Sequence, residues 1–143
     1  MAATTNHHIY ILGLKPDLPY STTTPFGTWP QILSTIHSDI ARAERNGFPC
    51  TLQVLDGANL SGSLDFFEKQ LTELRDQIDG LMFGAGIRTN KDVVPFERAL
   101  GIAMRVLAER EDLGKGVRVM LNDGPDRHCW AIERGFGVRM EVE

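Results

Sequence analysis

The chain reads as an α/β protein: one domain over residues 1–143, with a parallel sheet between two layers of helices. Three observations predict this. Short apolar runs alternate with segments whose apolar residues recur every three or four positions, the pattern of βαβ units. Residues 80–90, Gly-Leu-Met-Phe-Gly-Ala-Gly-Ile-Arg-Thr-Asn, break from an apolar run into small glycines and then an arginine. A buried parallel strand does this where it ends at a crevice, the edge at which open α/β sheets bind ligands. Finally, 143 residues with 42% hydrophobic and 24% charged residues suffice for one globular domain with its own core.

His8 to Leu14 is the first expected strand. Residues 15–28 follow, turn-rich and long for a strand-to-helix connection, a length more typical of functional loops. Thr28 suits an N-cap, and Ile32, Ile36 and Ile40 share one face of the first helix, which Asn46-Gly47 stops. Cys50 to Leu55 is the second strand, and Asp56-Gly57 turns the chain. A second helix from about Leu64 to Asp79 spaces Phe67, Leu71, Leu74 and Ile78 by four, three and four. Leu81 to Gly86 is the third strand. Pro95 fits the first turn of the third helix, which stacks Phe96, Leu100, Met104 and Leu107 and ends near Gly114. Val117 to Leu121 is the fourth strand, after which Asn122-Asp123-Gly124-Pro125-Asp126 opens a short helix through about Arg134. Phe136 to Val142 alternates, with Phe136, Val138, Met140 and Val142 on one face. It reads as a fifth, edge strand whose Arg139 and Glu141 guard against open-ended pairing.

Right-handed crossovers leave few ways to wind five parallel strands and four helices into a three-layer sandwich. A flavodoxin-like order, 2-1-3-4-5, is expected, with its switch point between the first and third strands. Loop 15–28 then faces Gly86 and Arg88 across the crevice, with Asn122 and Asp123 beside them.

Composition narrows the function. The net charge is −4 and no basic run stands out, which argues against nucleic-acid binding. No apolar stretch approaches the roughly 20 residues of a membrane span. Met1 to His8 lacks the basic segment and apolar core of an export signal. Two cysteines, Cys50 and Cys129, stand far apart, so a reduced, cytoplasmic setting is expected rather than a disulfide framework. A homodimer is the default association for a domain of this size.

Several specific chemistries fail on their residues. A phospho-receiver needs an acidic pair after the first strand and an aspartate ending the third; here stand Leu14-Lys15-Pro16 and glycines with Arg88. Ser21-Thr22-Thr23-Thr24 has the composition of a flavin-phosphate loop but comes late and is interrupted by Pro25, so a solvated loop is the simpler reading. Gly84-x-Gly86 matches the dinucleotide fingerprint in part only, because Thr89 occupies the third glycine position. His7 and His8 diverge on a strand, and His128 and Cys129 diverge on a helix, so no metal site is expected. No Gly-x-Ser-x-Gly elbow is present. Cys129 reads as a small buried residue rather than a nucleophile.

General acid–base chemistry remains. Arg88 suits a carboxylate or enolate, which its planar fork holds by two oxygens, and Asn122 suits a carbonyl. Asp123 and Asp126 stand before a helix, where a carboxylate serves as a cap or carries a proton; at least one is expected to cap. His128, one turn into that helix, exchanges protons near neutral pH. Glu97, nine residues after Arg88, either binds substrate or pairs with Arg88 structurally. Lys15, Asp17, Tyr20, Phe26 and Trp29 come from the long loop as a lid, the aromatic rings offering stacking surface for a flat ligand.

Gly84-Ala85-Gly86-Ile87-Arg88, Pro95-Phe96-Glu97-Arg98 and Asn122-x-x-Pro125-Asp126 together resemble a family of small fungal and bacterial proteins of unassigned function. The resemblance spans nearly the whole chain and is poorest over loop 15–28. It implies a single α/β domain with a pocket near Arg88, Glu97 and Asn122, and it implies no activity. The third helix departs from that pattern, with Gly101 and Met104 where the family often carries Asn and His.

The expected function is that of a cofactor-independent enzyme of lyase, isomerase, dehydratase or cyclase type, acting on a small oxygenated molecule of secondary metabolism. Arg88, Asn122, Asp123 and His128 form the expected catalytic set. Lys15, Tyr20, Phe26, Trp29, Gly86 and Glu97 form the expected substrate-binding set. A non-catalytic binding or interaction module and a flavin or phosphate carrier are the alternatives.

Overall fold

Four parallel strands form one sheet in the order 2-1-3-4: β1 (Ile9–Lys15), β2 (Cys50–Asp56), β3 (Gly80–Phe83) and β4 (Arg118–Leu121). The structure, a computed structural model, describes residues 6–15 and 21–141. Helices α1 (Trp29–Arg45) and α5 (His128–Phe136) cover one face of the sheet. Helices α2 (Leu60–Leu74) and α4 (Val94–Leu107) cover the other, and a single helical turn, α3 (Ala85–Arg88), follows β3.

Period-two alternation along β1 feeds two separate cores. Ile9 and Ile11, with Met82 and Met120, pack against Ile40 and Ala43 of α1 and Cys129, Ala131 and Ile132 of α5. Tyr10, Leu12, Leu81 and Phe83 pack against Leu64, Phe67 and Leu71 of α2 and Ala99 and Ala103 of α4. The second core holds one polar group, the Tyr10 hydroxyl, 2.7 Å from Gln53 Oε1 and 2.6 Å from Gln70 Oε1. Gln53 is fixed in turn by donating to the Ser63 carbonyl at 2.9 Å. Burial pushes the Tyr10 phenol far above its ordinary pKa.

Helix starts follow the local chemistry. Thr28 and Gln31 close a capping box, the Thr28 N–H donating to Gln31 Oε1 at 2.8 Å, and Pro30 occupies the first turn. Asp56 caps a 3-10 turn over Gly57–Asn59, and Asn59 then caps α2. This early cap is why α2 starts at Leu60 rather than near Leu64; it ends at Leu74, short of Asp79. Strand β3 stops at Phe83 instead of Gly86, because the Ala85 N–H turns to the Asn122 side chain and the chain enters α3. Helix α4 likewise ends at Leu107, seven residues before Gly114, whose own φ is 82°.

The expected fifth strand is absent among the described residues. Phe136 ends α5, and Gly137, at φ 66°, is a left-handed cap that folds the chain back. Residues 137–141 then run without strand pairing, the Met140 N–H donating to Glu133 Oε2 and the Glu141 N–H to Asn46 Oδ1. Of Phe136, Val138 and Met140 only Met140 is buried, and Val142 lies outside the described residues; Arg139 and Glu141 guard no strand, and β4, like β2, is an edge of the sheet. The described chain thus has four strands, five α-helices and a 3-10 turn. Among the described residues no helix is long and apolar enough to cross a membrane.

Replacing Tyr10 by Phe should strand the partners of its hydroxyl inside the α2/α4 core. Chemical denaturation should register a loss of about 1–3 kcal/mol with an unchanged fold.

Candidate functional site

Helix α1 lies close to the sheet at its carboxyl half, where Ile40 and Ala43 are buried, and lifts away at its amino half, where Trp29, Ile32 and Ile36 are only half-buried. A cavity of about 490 Å³ fills the gap, at the carboxyl edge of the sheet. Its floor is Ile11 and Gly13 of β1 with Leu52 and Val54 of β2, side chains that face α1 in register. Gly13 keeps the floor open, since a Cβ there would have no neighbour within 4 Å. Gly84, Ala85 and Gly86 border the cavity at the switch point, and Asn122, Gly124, Pro125 and His128 supply the opposite wall.

The roof is a tight turn. Thr24 and Gly27 exchange two backbone hydrogen bonds of 2.9 Å, and the Thr24 hydroxyl donates to the Gly27 carbonyl at 2.9 Å. Gly27 sits at φ 107°, a conformation that side-chain-bearing residues avoid. The turn holds Pro25 and Phe26 over the cavity, and a Cβ on Gly124 would lie 3.5 Å from the Phe26 ring, so the roof reaches the opposite wall.

His128 is the first residue of α5 and is 3% exposed, on the cavity wall. Behind it lies Asp39 of α1. One carboxylate oxygen, Oδ2, accepts the backbone N–H groups of His128 at 2.6 Å and Cys129 at 3.2 Å, and lies 3.4 Å from His128 Nδ1. Burial alone would push the Asp39 carboxyl up. The nearby His128 imidazole, whose buried Nδ1 lies 3.4 Å from Oδ2 and has no hydrogen-bond partner, and hydrogen bonds from the two backbone N–H groups outweigh it and hold the carboxyl below its ordinary range. The neighbouring Cys129 thiol goes the other way: burial and the nearby Asp39 charge push it up to about 12, so it stays protonated.

The other expected residues separate. Asn122 lines the cavity, 2% exposed, but its Oδ1 accepts the Ala85 N–H at 2.9 Å, and its Nδ2 lies 3.4 Å from Met82 Sδ. Arg88 stands outside the lining and donates from Nη2 to the Asn122 carbonyl at 2.9 Å, while its buried Nε has no partner. It ties α3 to the end of β4. Asp123 is exposed and paired with Arg127 at 3.0 Å. Neither Asp123 nor Asp126 caps α5, whose N-cap position is Arg127 with no side-chain bond; Asp39 does that work from another helix. Glu97 is exposed on α4 and forms no ion pair with Arg88 among the described residues. Phe26, Trp29 and Gly86 line the cavity, whereas Lys15, at the end of β1, does not. Asp17 and Tyr20 lie outside the described residues.

The reading from sequence missed Asp39, Gly13, Thr89 and Lys91, the last two at the cavity beside α3. Asp39 carried a signal: it follows Ile32 and Ile36 at helical spacing, a carboxylate on an otherwise apolar stripe. Gly13 carried one too, a lone glycine inside an apolar strand. No group of three or more His, Cys, Asp or Glu poised to hold a metal occurs among the described residues.

Asp39→Ala should cost about 1–2 kcal/mol as a lost helix cap. A carboxyl held below its unfolded value stabilises the fold above the ordinary carboxylate range, and that contribution disappears as pH falls through the folded value. The wild-type melting temperature should therefore drop on acidification below about pH 4, and the drop should shrink in Asp39→Asn. Comparison with protein-family models, with curated proteins and with solved structures finds no significant match, so the geometry of the cavity is what carries a functional reading.

Proposed function

We propose that this chain is an enzyme that moves a proton on a small oxygenated molecule held in the cavity, using its own side chains and no resident cofactor. The observation that supports this reading is the Asp39–His128 pair, a carboxylate 3.4 Å behind an imidazole that borders a largely apolar cavity. In such an arrangement His128 takes a proton from a carbon or hydroxyl of the substrate, and Asp39 orients the ring and stabilises the imidazolium that forms. The proton returns to another atom of the same molecule, or to a departing hydroxyl. Lyase, isomerase, dehydratase and cyclase steps all share that first transfer. The roof of Pro25 and Phe26 limits water around it.

The roles expected of the remaining residues shift accordingly. Arg88 and Asn122 are positioning residues that hold α3 and the end of β4 together, and Lys91 is the cation at the cavity. One observation favours a second reading, a binding module without turnover: among the described residues, His128 and Lys91 are the only titratable side chains in the lining.

Native mass spectrometry of the purified protein, before and after incubation with a metabolite extract from its source, separates the readings. Depletion of a metabolite by wild type, reduced about 10²- to 10⁴-fold in His128→Gln with little change in melting temperature, supports the enzyme. A molecule retained unchanged supports the binding module, and a yellow chromophore or bound phosphate supports a carrier. Gly13→Val should retain or raise stability, because valine suits a strand and enters open space, yet abolish depletion or retention by filling the floor.

A further inference from the structure

We infer that the occupant of the cavity is an apolar-bodied monoanion: a ring-sized or chain-like hydrocarbon body carrying a single carboxylate, phenolate or enolate. The inference rests on the reading of the cavity as the functional site, and it concerns what binds there rather than whether it is turned over.

Charge in the lining is unlike charge in the chain. The sequence carries 19 acidic against 15 basic residues, yet among the described residues none that borders the cavity is Asp or Glu, and one, Lys91, is a cation. A cationic guest would enter an apolar space without a counter-charge, which is costly. Asp39, behind His128, is 10% exposed and already serves the His128 and Cys129 N–H groups.

A guest with two or more negative charges is also disfavoured. It would need further cations, but the Arg88 guanidinium lies outside the lining and is bound to the Asn122 carbonyl. Lys91 is exposed and forms no ion pair among the described residues, so its ammonium is available to one anionic oxygen at the mouth. The Thr89 hydroxyl is already donated to the Ala85 carbonyl at 2.6 Å and the His128 N–H to Asp39 at 2.6 Å, so the ammonium is the donor there. The rest of the surface, Ile11, Leu52, Val54, Ile36 and the Trp29 ring, asks for an apolar body.

The two tryptophans allow a direct measurement. Trp130 sits on α5 between the Arg127 and Arg134 guanidinium groups, away from the lining, so Trp130→Phe leaves Trp29 as the reporter of the cavity. In that background, fluorescence titrations would compare trans-cinnamate and decanoate with the neutral cinnamamide and the cationic phenethylammonium.

The anions should bind at least about 3-fold tighter than cinnamamide, with phenethylammonium weakest. Lys91→Gln should remove most of that difference, as expected for an exposed ion pair, and leave cinnamamide affinity unchanged. Equal binding of cinnamate and cinnamamide, or equal weakening of both by Lys91→Gln, would overturn the monoanion while leaving the cavity as a neutral-ligand site. Tighter binding of the cation would overturn it as well. If no probe binds, or if Gly13→Val leaves every titration unchanged, the cavity itself is not the site and both readings fall.

Discussion

Helix α5 begins without a cap from its own stretch of chain, and the carboxylate of Asp39 on α1 supplies it. Much of the arrangement depends on that one oxygen. It joins the two helices that cover the cavity-bearing face and stands beside the only histidine that borders the cavity. The contact stabilises because two N–H donors and an imidazole surround a charge that burial would otherwise expel. In the proposed reaction the structural cap and the orienter of His128 are the same atom, which is why their separation needs the isosteric Asp39→Asn as well as the truncation.

Much of the fold was legible in the sequence because it depends on short-range patterns. The apolar runs read from His8, Cys50, Leu81 and Val117 and the intervening helical stripes locate all four strands and the main helices. Long-range ties were not legible. The alternation from Phe136 onward looks like a strand, but Gly137 turns left-handed and the backbone finds Glu133 and Asn46 side chains instead of a neighbour. Periodicity reports which residues seek burial, and the partner that satisfies the backbone is decided elsewhere in the chain.

The site divides along the same line. Phe26, Trp29, Gly86, Asn122 and His128 meet at one cavity, as their places at strand and helix ends suggest. Arg88 and Asp123 were chosen for chemistry that their neighbours consume: Arg88 holds a carbonyl, and Asp123 pairs with Arg127. Those partners lie across turns and strands that no spacing rule brings together. Glu97 belongs to a helix on the opposite face of the sheet.

The two cores differ in kind. The α2/α4 side packs Tyr10, Phe67, Phe83 and a row of leucines with almost no exposure, while the α1/α5 side keeps a void above Gly13. Burden and freedom are thereby partitioned between the layers. At the floor of the void Gly13 meets open space, so a larger residue there can fill it without displacing the packing around it. Such a scaffold can change the shape of its cavity in single steps, and a directed library at Gly13 would explore new cavity shapes at little cost in stability.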